Sequence, residues 1–412
     1  MKFEDYNIAP EIKKSLAEFG FKKPTDIQYK SIPPILNGED VLAIAQTGTG
    51  KTAAFAIPVI DILLNRERSK HSEGARCLVM LPTHELAIQI SEVFEKFAKY
   101  TNLSILSIFG GVDQEPQIEK LQEGVDILIA TPGRMFDLIK QKHVKITHVE
   151  ILILDEADLM LDLGFINDIW DVIKFVPKRH QTLFFSATIN AEIKELAYSL
   201  VINPIRIQIS PKDPVSKNIT HSVVFIEMDD KRFFLERMIK EHPESKILVF
   251  VRTKIRAERV AKAMERVGIT TMTMHGGKEQ EDRVGAMKQF KTGEVKVLIA
   301  TDISARGIDI PNVEYVFNYD LPDQSENYVH RVGRTGRGME KGIALSFCSP
   351  EEKEVLDEIQ EFLGKEINVI DIKKTEYEET IDLSHENKND WKDLIKKAEE
   401  HDGKKKKPNK KK

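Results

Sequence analysis

The sequence predicts two tandem α/β domains, each a parallel sheet flanked by helices, joined by a short linker and followed by a charged tail. Three observations carry this reading. At 412 residues the chain exceeds what a single hydrophobic core sustains. Short apolar runs alternate with helical patterns through its first half, which is the signature of βαβ units. After a proline-bearing stretch the alternation begins again. The expected boundaries are a first domain at 1–209, a linker at 210–220, a second domain at 221–370 and a disordered tail at 371–412.

The first run, Val41–Ala45, reads as a buried strand. It leads into Ala45-Gln46-Thr47-Gly48-Thr49-Gly50-Lys51-Thr52, which opens a helix rich in Ala, Ile and Phe. Strand, glycine-rich turn, then Lys-Thr at a helix start is the context of a phosphate-binding loop. Consecutive backbone N–H groups and the helix N-terminus form a concave positive site for polyphosphate. Lys51 would reach the β- and γ-phosphates, and the Thr52 hydroxyl would ligate Mg²⁺. Ala45 stands where the strict pattern has Gly, which requires a negative φ there.

Ahead of the loop lies Gly20-Phe21-Lys22-Lys23-Pro24-Thr25-Asp26-Ile27-Gln28. Thr25 or Asp26 suits the N-cap of the next helix. Alone, Phe21 fits a core and Gln28 a solvent-facing position. Together, before a phosphate loop, they also suit a purine site, with the ring stacking and the amide reading an adenine edge.

The next runs are Cys77–Leu81, Ile105–Phe109, Ile127–Ala130, Ile151–Leu154 and Leu183–Phe185. In a parallel sheet, sites gather at the carboxyl ends of strands. Polar motifs follow each of these ends: Pro82–Ala87, Gly110-Gly111, Thr131–Arg134, Asp155–Asp158 and Ser186–Thr188. Asp155 would hold Mg²⁺ through water, and Glu156 would orient or deprotonate the attacking water.

Residues 203–220, with Pro204, Pro211 and Pro214, read as linker. Strands are expected again at Val223–Ile226, Ile247–Val251, Thr271–Met274, Val297–Ala300, Tyr315–Phe317 and Ile343–Phe347, without a second phosphate loop. This half offers His275-Gly276-Gly277 with Gln280 and Arg283, then Thr301–Asp309, then His330–Arg337. Arg334 and Arg337 lie three apart between glycines. With no arginine near the phosphate loop itself, supply of these two across domains is the favoured reading.

Composition sets outer limits. Hydrophobic content of 41% and charged content of 31% describe a soluble globular chain. Cys77 and Cys348 lie far apart and read as core thiols of a reducing compartment. The first residues lack the apolar core of a signal peptide, and no apolar run spans a bilayer, so a cytoplasmic chain is expected. The net charge is −5, and seven lysines in residues 403–412 leave −12 on residues 1–402. Net charge does not mark the body as a nucleic-acid binder; the lysine tail would add a separate contact.

These motifs in this order, over about residues 3–350, resemble the DEAD-box ATP-dependent RNA helicases. The resemblance implies two tandem RecA-like domains, RNA-stimulated ATP hydrolysis with Mg²⁺, and local unwinding of short duplexes or remodelling of RNA–protein complexes by a monomer. Phe21 and Gln28 match the adenine-reading motif, Thr47, Gly48, Thr49, Gly50, Lys51 and Thr52 the phosphate loop, and Asp309 the ribose contact. Lys51, Glu156, Arg334 and Arg337 are then the catalytic set, and Thr52 and Asp155 the metal ligands. Asp158, Ser186, Thr188 and His330 would couple the two halves. Thr83, Gly110, Gly111, Thr131, Gly133, Arg134, Gln280, Arg283 and Thr301 would line the RNA groove. These are residues suited to phosphate and ribose, which implies little sequence selectivity. The tail implies protein partners or RNA contact. One position departs: His84 stands where the family has Arg, which puts one RNA contact or interdomain pair in doubt. A DNA helicase of the same build and a non-hydrolysing RNA clamp are the rival readings.

Overall fold

Seven parallel strands, in the order β3-β4-β2-β5-β6-β1-β7, form the first sheet of the computed structural model. They are β1 (Val41–Ala45), β2 (Cys77–Met80), β3 (Ile105–Ile108), β4 (Ile127–Ala130), β5 (Ile151–Leu154), β6 (Gln181–Ser186) and β7 (Ile205–Ile209). The structure describes residues 2–46, 48–66, 74–209, 215–305, 313–336 and 341–383. These group into two compact units, one built mainly from residues up to Ser216 and one mainly from Lys217 onward.

Strands β1, β2, β4, β5 and β6 are buried along their whole length, as strands covered by helices on both faces must be. Period-two alternation divides their side chains between two cores. Leu183 and Phe185 join Phe55 and Phe94 on one face, while Phe184 joins Leu152 and Met135 on the other.

The second unit repeats this plan. Its strands are β8 (Ile219–Phe225), β9 (Ile247–Phe250), β10 (Thr271–Met274), β11 (Val297–Ala300), β12 (Tyr315–Asn318), β13 (Gly342–Cys348) and β14 (Asn368–Val369). Their order is β10-β11-β9-β12-β13-β8-β14, again all parallel. Every strand expected from the apolar runs is present. Cys77 and Cys348 are buried free thiols, and burial pushes both above the usual thiol range.

Two expectations need correction. The stretch read as linker from residue 203 contains β7, which pairs with β1 over five residues. Its Ile-Arg-Ile-Gln-Ile alternation is a strand period that the flanking prolines obscured. The tail expected to be disordered from residue 371 begins with a helix, Lys374–Asp382. Tyr377 packs on Phe234 at 4.9 Å, and Arg237 donates to Thr380 Oγ1 at 2.7 Å and Glu376 Oε1 at 3.2 Å. Charged composition hid this docking face. Residues 210–214 of the linker and the lysine-rich end lie outside the described residues. Among the described residues, no helix is long and apolar enough to cross a membrane.

Candidate functional site

The carboxyl edge of the first sheet divides into two contiguous halves. Strands β5-β6-β1 carry Asp155, Ser186 and the phosphate loop at their ends, and β3-β4-β2 carry Gly110, Thr131 and Thr83.

On the first half, Lys51 is the first residue of the helix Lys51–Asn65. Gly48 (φ +80°) and Gly50 (φ +95°) hold the left-handed conformations that bring the loop round to it. A Cβ on Gly50 would also meet Gln28 Nε2 at 2.4 Å. Ala45 ends β1 with no positive φ, as its replacement of Gly requires. Thr49 Oγ1 donates to the Gln46 carbonyl at 2.7 Å, and Thr52 is half-buried. Thr47 lies outside the described residues.

Gln28 is only 3% exposed, which corrects the solvent-facing reading of that residue alone. Its Oε1 accepts from Thr25 N at 2.9 Å, closing a capping box, and its Nε2 donates to the Gly50 carbonyl at 3.2 Å. The amide thus ties the preceding helix to the phosphate loop. Phe21 packs edge-on against Phe97 with ring centroids 5.3 Å apart, and it remains partly exposed.

Lys51 Nζ forms a buried ion pair with Glu156 Oε1 at 2.9 Å. Burial opposes its charge, but Glu156, Asp155 and Asp158 outweigh burial and hold its pKa above the usual lysine value. Burial pushes Asp155 the other way, up to about 7, with Lys51 offsetting only part of the cost. Glu156 adopts φ +52°, a strained backbone for a residue with a side chain, and its N–H donates to Asp155 Oδ1 at 3.0 Å. Asp158 Oδ2 accepts from Thr188 N at 3.2 Å and Thr188 Oγ1 at 3.3 Å, joining the ends of β5 and β6. Ser186 is fully buried beside them.

The donor set fits Mg²⁺. A hydroxyl and a carboxylate are hard oxygen ligands, and Mg²⁺ takes one or two carboxylates with water and phosphate rather than a dedicated cage. Asp155, whose charge burial disfavours, would gain most from a cation.

On the second half, Thr83 and Thr131 are buried residues at helix N-caps. Arg134 Nη2 donates to the Val112 carbonyl at 2.7 Å and so braces the turn that holds Gly110 and Gly111. Its Nη1 is buried with no partner among the described residues. Gly133 lies in the first turn of the helix Pro132–Lys140, and His84 stacks on Phe109 at 5.6 Å.

Gln280 opens the helix Gln280–Thr292, and Arg283 Nη1 donates to Gln280 Oε1 at 3.2 Å. Thr301 follows β11. His330 and Arg334 are buried, with Arg334 Nε on the His330 carbonyl at 3.0 Å. Asp309 and Arg337 lie outside the described residues. Sequence reasoning passed over Arg331, whose Nε and Nη2 grip the Asp302 carboxylate at 2.5 and 2.8 Å while Nη1 donates to the Asp320 carbonyl at 2.6 Å. Its signal was a charge on a helix face that the sheet had to bury.

Residues 25–196 match the DEAD/DEAH box helicase family, and residues 230–339 match the helicase conserved C-terminal domain. The chain is 41% identical over 372 residues to the ATP-dependent RNA helicase RhlB of Shewanella frigidimarina, covering 89% of this chain and 86% of that one. It is 37% identical to the DEAD-box ATP-dependent RNA helicase RhpA of Helicobacter pylori, covering 94% and 77%. Among solved structures, S. cerevisiae Dbp5 bound to RNA and ADP BeF3 is similar with a TM-score of 0.80 at 30% identity, over 89% of this chain and 95% of that one. Mss116p bound to ssRNA and AMP-PNP gives a TM-score of 0.81 at 28% identity, over 92% and 81%.

Proposed function

Given that the chain belongs to the DEAD-box ATP-dependent RNA helicases, with two RecA-like domains, we propose how its residues divide the work. The observation that carries the proposal is the split carboxyl edge of the first sheet, with the phosphate loop, Asp155 and Ser186 at the ends of β5-β6-β1 and Gly110, Thr131 and Thr83 at the ends of β3-β4-β2; we assign nucleotide chemistry to the first half and RNA contact to the second. Phe21, Gln28 and the phosphate loop hold ATP, with Asp309 on the ribose. Thr52 and Asp155 hold Mg²⁺, which would screen charge on the transferred phosphoryl group. Glu156 leaves its pairing with Lys51 to orient the attacking water, and Lys51 turns to the phosphates. Asp158, Thr188 and Ser186 relay that change between strand ends, with His330 as their counterpart in the second unit. Arg334 and Arg337 stabilise charge on the transferred phosphoryl group.

RNA lies along Thr83, Gly110, Gly111, Thr131, Gly133 and Arg134, joined by Gln280, Arg283 and Thr301. Arg134 Nη1, a buried donor without a partner among the described residues, suits a phosphate oxygen. Such contacts read backbone and 2′-OH rather than base edges, so we expect short duplexes to be opened with little sequence selectivity. A monomeric, cytoplasmic protein whose lysine-rich end adds RNA or protein contacts completes the reading. The rival DNA-translocase and non-hydrolysing clamp readings are tested together by steady-state ATP hydrolysis with RNA, with DNA and with neither. Stimulation by RNA alone, over many turnovers, is the expected result. Glu156→Gln should bind Mg-ATP and RNA yet stall hydrolysis, and wild-type turnover in that variant would remove Glu156 from its role.

A further inference from the structure

We infer that the second unit carries an anion site at the topological position of the phosphate loop, and that the chain's own Glu352 carboxylate is its occupant. The two sheets share one strand order, so β8 stands where β1 does, β12 where β5 does and β13 where β6 does. Lys51 lies six residues past β1 and opens the helix that follows; Lys231 lies six residues past β8 and opens the helix Lys231–Glu241. Glu156 lies two residues past β5, and Asp320 two residues past β12. Both lysines are buried, at 5% and 0% exposure. Lys51 Nζ meets Glu156 Oε1, whereas Lys231 Nζ donates to the Tyr319 carbonyl at 2.8 Å and to Glu352 Oε2 at 2.5 Å.

Glu352 follows β13, and its carboxylate is surrounded as a bound anion would be. Oε2 also accepts from Ser349 N at 3.0 Å and Ser349 Oγ at 3.2 Å. Oε1 accepts from Leu321 N at 3.1 Å and Arg252 Nη2 at 3.3 Å. Two backbone N–H groups, a hydroxyl, an ammonium and a guanidinium converge on a residue only 3% exposed. That donor set holds a carboxylate or a phosphate oxygen.

The loop before Lys231 explains why the occupant is internal. It reads Ile226-Glu227-Met228-Asp229-Asp230, with three acids and no glycine. None of its residues takes the positive φ of Gly48 and Gly50. Such a loop repels polyphosphate and presents no cradle of N–H groups. A small carboxylate is what the remaining donors accept, and Glu352 supplies it while fixing the carboxyl ends of β12 and β13.

The test is thermal unfolding of full-length Glu352→Ala and Glu352→Gln in acetate, formate or chloride at about 0.1 M, where ionic screening is matched. Emptying a buried charged site should lower the midpoint of Glu352→Ala by roughly 10 °C in chloride. Acetate and formate should restore several degrees by binding the folded state, and chloride should not. Glu352→Gln should gain nothing from acetate, because its amide fills the space. Should Glu352→Ala fail to fold in chloride, a higher refolding yield in acetate reads the same occupancy. Equal stability or yield of Glu352→Ala in acetate and chloride would overturn the inference, as would equal rescue of both variants.

Discussion

Lys51 and Lys231 occupy matching places in two copies of one fold, and their surroundings show what a working site costs. Around Lys51, two glycines hold left-handed backbone, Glu156 is strained at φ +52°, and Asp155 is pushed up to about 7. Around Lys231, the loop has no glycine, and the anion is a side chain with five donors. The first arrangement leaves a buried carboxylate, Asp155, whose charge Lys51 offsets only in part. The second satisfies itself. A fold repeated in one chain has thus kept its open, unstable form where ligand binding repays it, and closed the other copy for stability.

The comparison fails if the second unit contributes nothing to chemistry, and its arginines are the place to strike. Arg337→Ala should lower kcat at saturating RNA and ATP by about 10³–10⁵-fold, the range for arginines that act on a transferred phosphoryl group. Arg334→Ala should approach that loss, and the double variant should fall far short of the product of the two, because they act as a unit. A near-normal kcat with a raised RNA requirement would reassign both to RNA.

The two lysines should separate function from stability. Lys51→Met should cut kcat by at least about 10²-fold, as removal of a charge-stabilising donor does. Lys231→Met should leave kcat intact at a permissive temperature. It takes the ammonium from a buried Glu352 and leaves Arg252 Nη2 at 3.3 Å as its charged donor, at a cost of about 3–5 kcal/mol, which lowers the melting midpoint by roughly 6–20 °C. Paired kcat and unfolding measurements decide the matter: a catalytic defect in Lys231→Met would dissolve the contrast.

Acid should weaken the closed copy within a definite window. Burial works to raise the Glu352 carboxyl, but Lys231 and the backbone N–H groups outweigh it and hold its pKa below the usual 4.5. A depressed folded pKa gives stability that is present above the unfolded value and is lost as pH falls through the folded one. The midpoint difference between wild type and Glu352→Gln should therefore hold steady from about pH 8 to 5 and shrink below about 4.5. A difference that instead grows on acidification would mean that Glu352 is protonated in the fold.

Much of this was legible in the sequence, and the reason differs by residue. Lys51, Asp155 and Thr131 follow unbroken apolar runs, which mark strands buried on both faces, so their motifs had to fall on one edge. β7 was lost because an edge strand shows alternation rather than a solid apolar run, and prolines flank it. The Lys374–Asp382 helix was lost because its docking relies on one tyrosine and on polar contacts that look like solvated charge. Glu352 was not legible at all. Its significance comes from strand order, which brings Lys231, Leu321 and Ser349 to one point across more than a hundred residues of chain.

The smallest expected effect concerns that docked helix, which covers the Lys231 helix from outside. The Tyr377 hydroxyl donates to Asp230 Oδ2 at 2.8 Å and accepts from Glu227 N at 3.0 Å, so it clasps both ends of the loop before Lys231. Where glycines give the phosphate loop its shape, an external hydroxyl shapes this one. Tyr377→Phe keeps the ring on Phe234 and removes only the clasp. Two partly exposed hydrogen bonds should be worth about 1–2 kcal/mol, a midpoint shift of roughly 2–8 °C. If the clasp acts by holding Lys231 on Glu352, its loss should overlap with that of Lys231→Met, and the double variant should be more stable than additivity predicts. Strict additivity would show that Tyr377 only fastens the helix, and that the closed site holds its shape without help from the loop.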